Sequence, residues 1–259
     1  MNTITYHQPS PTIGIITLSD PPSRNAMTEE MASEFSSLTC ELSRDTATLR
    51  VIIITGAGSS FSSGGNLEML DKKRHLSGEE NRLNMLAFYR AFLGIRSLGI
   101  PLIAAINGHA IGAGLCLACG CDIRIASTEA KLGFPFVQLG LYPGMGATYL
   151  LSAVVGQAKA SELLLTGRII DAAEAFAIGL ISETVPHEEI AKRAQQIAEE
   201  IVSAAPETIR QLLPALRTPA PTLEDALSRE AMAQAVSYAS VEFGTRLNRA
   251  RTKRGAASQ

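Results

Sequence analysis

The chain has no tryptophan, only 5% aromatic residues and only 19% charged residues. So sparse an aromatic set argues against a platform on which nucleic-acid bases stack. Neither sign of charge dominates: 23 Lys and Arg against 25 Asp and Glu leave a formal net charge of −2. That balance gives no electrostatic case for nucleic acid or an anionic membrane as the main partner. Cysteine is limited to Cys40, Cys116, Cys119 and Cys121. Three of these crowd one apolar segment, where a disulfide framework is implausible, so a reducing cytoplasm is the expected compartment. Residues 1–10 have no basic start followed by an apolar core, so no secretory signal is expected. Residues 97–121 carry no formal charge, but Pro101, Asn107, Gly108, His109, Gly112, Gly114 and Gly120 interrupt them. A membrane span needs about 20 apolar residues in a row. The interruptions suit buried strand, turn and short helix instead.

What is present is a 46% hydrophobic chain of 259 residues, enough for one large domain or a domain with a smaller appendage. Residues 13–18 read as a strand, ended by Asp20-Pro21-Pro22. Thr28-Glu29-Glu30 opens a helix with an N-cap and first-turn carboxylates, and Met31, Phe35, Leu38 and Leu42 form its apolar stripe. Residues 51–55, 102–106 and 122–126 are short apolar runs of the kind buried on both faces of a sheet. Helical patterns lie between them, over 79–98 and 112–119. This alternation predicts an α/β core with a largely parallel sheet. From Gly146 the pattern turns helical, over 157–166, 171–178, 188–203 and 222–240, with a soft boundary near 167–182. The stretch 246–254 is basic and reads as a solvated helix face or, alternatively, a phosphate contact. Residues 255–259 are expected to fray.

Several familiar motifs fail on inspection. Gly56-Ala57-Gly58 follows a strand, but the third glycine of a dinucleotide fingerprint would be Phe61, and no suitable acidic residue follows. No Lys-Ser/Thr pair makes a phosphate loop. Cys116 and Cys119 form a single CxxC with no second pair, so core packing rather than metal is expected. Ser62 and Ser63 are not on the sharp strand-to-helix turn that a serine nucleophile needs. Two glycine-rich turns remain, Phe61-Ser62-Ser63-Gly64-Gly65-Asn66 and Asn107-Gly108-His109-Ala110-Ile111-Gly112-Ala113-Gly114. Each follows a buried strand, and the second leads into a helix whose first N–H groups have no helical partner. Two such turns side by side can point two N–H groups at one carbonyl oxygen, an oxyanion hole. The spacing alone equally suits tight turns and nothing more.

The stretches PSRNAMTEEM, VIIITGAGSSFSSGGNLEML, PLIAAINGHAIGAGLCLACGCDIRIAS and LGLYPGMGATYLLSAVVGQAKASELLLTGRIIDAAEAFAIGLISETV resemble the crotonase superfamily, the enoyl-CoA hydratase/isomerase family. The resemblance covers essentially the whole chain, most strongly residues 20–190. It implies an α/β fold, a spiral of ββα units followed by a helical C-terminal region. It divides the chain into a core over 1–190 and a helical oligomerisation region over 191–259, assembling as a homotrimer or homohexamer. It implies an acyl-CoA or acyl-carrier thioester as ligand, with coenzyme A entering as part of the substrate and no permanently bound cofactor or metal. The oxyanion donors fall on Gly65 and Ala113. Arg24 is expected near the CoA phosphates, and Ser62, Ser63, Gly64, Asn66 and Gly112 along the rest of the ligand.

The resemblance also marks departures. Cys116 and Phe136 stand where hydratases of the family carry glutamates, Gly144 where related isomerases carry an aspartate, and Asn66 where an aspartate is usual. General acid–base help is worth roughly 10²–10⁴-fold, so standard hydration is doubtful. Decarboxylation of an acyl thioester tolerates these losses, because departure of CO2 itself generates the enolate. The segment from Phe136 to Thr148 is similar to decarboxylating members of the family, which makes decarboxylation the preferred reading. The alternatives are a hydratase or isomerase with substituted groups and a non-catalytic acyl-CoA-binding protein. Tyr142 is the favoured replacement acid, ahead of His75, Asn66 and Glu68. His109 reads as structural.

Overall fold

Short apolar runs, the first two ending in glycine corners, fold here as repeated strand–strand–helix units. The structure is a computed structural model describing residues 2–44 and 48–256. Its elements in order are β1 (Ile4–Ser10), β2 (Ile13–Leu18), α1 (Glu29–Arg44), β3 (Val51–Gly56), β4 (Ser60–Ser62), α2 (Leu67–Lys73), α3 (Gly78–Leu93), β5 (Leu102–Ile106), β6 (His109–Ile111), α4 (Ala113–Gly120), β7 (Ile123–Ser127), β8 (Lys131–Gly133), α5 (Ala147–Thr166), β9 (Ile169–Asp171), α6 (Ala172–Ala177), β10 (Glu183–Val185), α7 (Ile190–Ser203), α8 (Pro206–Arg217), α9 (Leu223–Tyr238) and α10 (Val241–Ala256). The chain divides into two units, Met1–Ile201 and Val202–Gln259. This division lies within the last turn of α7, one helix later than the residue-190 division read from the sequence.

In the first unit, six strands pair in the order β1-β2-β3-β5-β7-β10, parallel from β2 onward, with β1 antiparallel at the edge. A smaller sheet runs β4-β6-β8-β9. The pairs β3–β4, β5–β6 and β7–β8 each give one strand to the large sheet and the next to the small one, and a helix follows. This repetition is the ββα spiral. The change of sheet needs chain corners that touch backbone to backbone. At the second corner a Cβ on Gly108 would sit 2.0 Å from the Ser59 carbonyl oxygen, so no other residue fits there. β5 is buried along its whole length, as its unbroken apolar sequence requires. Helix α4 is also buried at all eight residues, which explains its lack of a polar face. In α1, Thr28 Oγ1 accepts from Met31 N–H at 3.1 Å and caps the helix, and Met31 and Phe35 are fully buried. Phe35, Phe88 and Phe92 pack ring to ring at 5.2 Å.

The strands at 13–18, 51–55, 102–106 and 122–126 are present to within a residue. Strands of three residues, β4, β6, β8, β9 and β10, are too short to leave a periodic signal. The second unit consists of α8, α9 and α10. Pro206 starts α8 at a first-turn position, where its missing N–H costs nothing. In the basic stretch, Arg246 pairs with Glu242 one helical turn away at 2.9 Å, as a solvated face would. Of the tail expected to fray, Gly255 and Ala256 belong to α10, and 257–259 lie outside the described residues. No helix among the described residues is long and apolar enough to cross a membrane.

One buried side chain ties the first turns of the core together. Asn25 accepts from Asp20 N–H at 2.9 Å and donates to the carbonyls of Ala57 and Ser60 at 2.9 and 2.8 Å. It is fully buried with φ of +55°, a conformation Asn tolerates better than most residues. Asn25→Ala strands these backbone groups. It is expected to lower the unfolding free energy by about 3 kcal/mol, seen as a lower urea midpoint at unchanged slope.

Candidate active site

The first glycine-rich turn leaves β4 and enters α2. Ser62 Oγ, fully buried, donates to the Asn25 carbonyl at 2.7 Å and accepts from Gly64 N–H at 3.1 Å. The turn then runs beside Met27 as a single parallel bridge between Met27 and Gly65. Met27 N–H donates to the Gly64 carbonyl at 2.7 Å, and Asn66 N–H donates to the Met27 carbonyl at 3.1 Å. In extended chain, successive amides point to opposite sides. The residues flanking Gly65 therefore bond inward, and the Gly65 N–H faces away, with no acceptor among the described residues. Asn66 caps α2, its Oδ1 accepting from Met69 N–H at 3.0 Å.

The second turn leaves β6 through Gly112 and enters α4. Gly112 N–H donates to the Gly133 carbonyl at 2.9 Å, and the first helical bond runs from Cys116 N–H to the Gly112 carbonyl at 3.0 Å. Ala113 is thus the first residue of the helix, and its N–H has no acceptor among the described residues. The two turns interlock at Gly64, whose φ is +86°. A Cβ there would lie 2.5 Å from the Ile111 carbonyl oxygen and 3.3 Å from Ala113 N. Only glycine allows this approach, which brings both free N–H groups to the wall of one cavity of about 710 Å³.

The rest of that wall is mainly apolar, including Met85, Phe88, Phe136, Leu139 and Met145. Glu68 is the one carboxylate among the lining residues, and it is exposed on α2. Arg24, Lys73 and Arg74 supply positive charge; Lys73 pairs with Glu29 at 3.0 Å and Arg74 with Asp71 at 3.0 Å. Asn81 donates to the Lys73 carbonyl at 2.8 Å, while its own Oδ1 is buried in the wall without a partner. A buried acceptor left unpaired is costly, and a ligand N–H or O–H would satisfy it.

The residues expected from sequence divide by position. Arg24, Ser63, Gly65, Asn66, Gly112, Ala113, Phe136 and Tyr142 line the cavity. Ser62 and Gly64 are not among the lining residues and hold the turn in shape. Cys116 is fully buried, with its Sγ 3.6 Å from the Gly144 carbonyl oxygen. Tyr142 is 82% exposed at the rim. His75 is exposed, and His109 Nδ1 accepts from Lys131 N–H at 3.2 Å. Sequence reading missed Met85, Tyr89 and Asn81, all on α3. Each reads there as one more residue of an amphipathic helix, and only the fold turns it toward the cavity.

Three comparisons bear on these features. A sequence model of the enoyl-CoA hydratase/isomerase family matches residues 9–244. The short-chain-enoyl-CoA hydratase of Clostridium acetobutylicum is 36% identical over 199 residues, covering 76% of this chain and 75% of that protein. The crystal structure of an enoyl-CoA hydratase from Bacillus anthracis superposes with a TM-score of 0.89 at 30% identity, covering 97% and 96% of the two chains. A Thermobifida fusca protein solved in complex with CoA gives a TM-score of 0.82 at 32% identity, over 92% and 93%. The chain belongs to the enoyl-CoA hydratase/isomerase family.

Burial pushes the Cys116 thiol well above its ordinary range, with the neighbouring Cys119 adding to the shift. Cys119 is pushed up to about 11 and Cys121 to about 12, burial leading in both. Raised values keep these thiols protonated and unreactive at neutral pH. Cys40 alone is exposed. Alkylation of the native protein at pH 7–8 is therefore expected to add one label, on Cys40, and denaturation to release the other three, as peptide mass spectrometry would record.

Proposed function

We propose that the chain binds an acyl-CoA thioester and stabilises its enolate, and that its reaction is decarboxylation. The observation that carries this reading is the pair of free backbone donors, Gly65 and Ala113 N–H, on an apolar wall whose one lining carboxylate is exposed. Loss of CO2 breaks the carbon–carbon bond to the carboxylate and sends its electron pair onto the thioester oxygen. Two N–H groups and the positive end of α4 meet the charge as it forms, without reorganising. Phe136 and its apolar neighbours offer a departing carboxylate no hydrogen bond, whereas neutral CO2 needs none. No strong base is required. Positive charge at Arg24 suits the CoA phosphates, and the unpaired Asn81 Oδ1 suits an amide N–H of the pantetheine arm.

Hydration is the second reading. It is favoured by the names of the relatives, among them the C. acetobutylicum short-chain-enoyl-CoA hydratase. It requires a group on this wall to replace the two glutamates that the resemblance leaves missing at Cys116 and Phe136. Four free thiols suit a reducing cytoplasm. The C-terminal helices suit a homotrimer or homohexamer: α9 buries no residue within the single chain, and Leu223, Met232 and Val241 are 75%, 71% and 87% exposed.

Two measurements test this reading. Light scattering is expected to give three or six times the 27.5 kDa chain mass, and a monomer would refute the assembly. Mass spectrometry after mixing with 3-methylglutaconyl-CoA is expected to show loss of CO2, with crotonyl-CoA unchanged. Gain of one water on crotonyl-CoA would favour the hydratase, and a retained CoA complex without conversion would favour a binding protein. Ala113→Pro removes one donor at a helical position that tolerates proline. It is expected to cut turnover by roughly 10²–10³-fold.

A further inference from the structure

Enolate formation leaves a proton to be delivered, and the wall holds few groups able to deliver one. Its titratable side chains are Arg24, Glu68, Lys73, Arg74, Tyr89 and Tyr142, and its two serine hydroxyls, weaker acids than a phenol, are already donated, Ser23 to Asp20 and Ser63 to the Ser23 carbonyl. Arg24, Glu68, Arg74 and Tyr142 are exposed, and Lys73 is held by Glu29. Tyr89 is different. It stands on α3, half-buried, with its ring edge-on to Phe88 at 6.4 Å between centroids. Its hydroxyl is seated against Gly144: a Cβ on Gly144 would fall 2.2 Å from Tyr89 Oη and 2.9 Å from Cζ. The phenol fills the space that any side chain at 144 would occupy. The Gly144 carbonyl in turn meets Cys116 Sγ, one turn into the helix that Ala113 begins. Gly144 therefore joins the phenol to the helix that carries one of the two free donors.

We propose that Tyr89 is the proton donor of this site, delivering its hydroxyl proton to the α-carbon of the thioester enolate. The inference rests on the enolate-stabilising reading given above. The enolate's electron pair forms the new C–H bond, the thioester carbonyl is restored, and the phenolate regains a proton from water at the cavity mouth. Electrons and protons balance without a further reactant. Burial, and secondarily Cys116, raises the Tyr89 phenol above its ordinary value, against a smaller opposing effect of the Met145 backbone. Tyr89 therefore enters each cycle carrying its proton. A phenol fixed on one wall protonates one face only, which gives the product a defined configuration.

The test uses full-length protein, wild type and Tyr89→Phe, with methylmalonyl-CoA in D2O. Released CO2 and the configuration of the deuterium in propionyl-CoA are both read. Wild type is expected to release CO2 and label one face. Tyr89→Phe is expected to keep CO2 release within about tenfold, because bond cleavage precedes proton transfer, and to label both faces equally. Gly144→Ala, whose Cβ displaces the hydroxyl while the tyrosine stays, is expected to lose face selectivity as well and guards against misfolding of the first variant. One-face labelling retained in Tyr89→Phe overturns the donor and leaves the decarboxylase standing. Absence of CO2 release from wild type with both methylmalonyl-CoA and 3-methylglutaconyl-CoA overturns the decarboxylase instead. The donor is then read from α-hydrogen exchange of propionyl-CoA in D2O: exchange lost roughly 10²-fold or more in Tyr89→Phe sustains it, and equal exchange or none in wild type overturns it.

Discussion

The two glycine turns of the first unit share one constraint: two backbone N–H groups from distant parts of the chain stay unpaired and reach the wall of the same cavity. A buried donor without an acceptor is costly, so the surrounding structure has to enforce it. Gly64 does so by resting on the Ile111 carbonyl, closer than any Cβ permits. Met27 does so by taking both bonds that flank Gly65. Ser62 bonds to Asn25 on one side and to Gly64 on the other, so the turn cannot relax toward a self-satisfied geometry. In the proposed reaction the cost is recovered when the enolate oxygen arrives, because preorganised donors do not have to turn toward it.

The wall around those donors decides which chemistry benefits. A general acid or base must reach the proton it moves, and the lining carboxylate, Glu68, is exposed on α2. Burial of Cys116 removes its thiol from consideration, since a thiol held well above its ordinary value supplies neither nucleophile nor base at neutral pH. What remains is a site with two unpaired backbone donors and few groups placed to move protons. That imbalance suits a reaction in which bond cleavage, rather than proton abstraction, creates the enolate.

Much of this was legible in the sequence, and the division follows physical lines. Long buried strands such as β5 announce themselves by unbroken apolar runs, and the α1 cap and stripe are local signals. The two glycine turns were readable because close backbone approach leaves glycine little substitute. Strands of three residues, β4, β6 and β8, carry no usable period, so the second sheet was visible only through the resemblance. Cys116 and Phe136 looked equivalent as substituted positions, yet Phe136 lines the cavity and Cys116 is fully buried. Tyr89 was invisible for the opposite reason. Its meaning depends on Gly144, 55 positions away in the chain, and no local pattern links the two.

Backbone conformation adds a last argument. Among the described residues, three other than glycine have positive φ: Arg24, Asn25 and Met145, at +58°, +55° and +52°. Left-handed geometry costs roughly 1–2 kcal/mol for an ordinary residue. Arg24 and Met145 line the cavity, and Asn25 is the buried knot beneath Arg24. Strain gathered in and beneath the wall of one cavity is retained only where surrounding contacts over-determine it. Asn25 accounts for its share through its bonds to the Asp20 amide and to the Ala57 and Ser60 carbonyls. Met145 follows Gly144, on which the Tyr89 hydroxyl is seated. A relaxed backbone at 145 would redirect the chain at the point where the phenol rests, so the strain there holds the shape of the wall that would aim a proton.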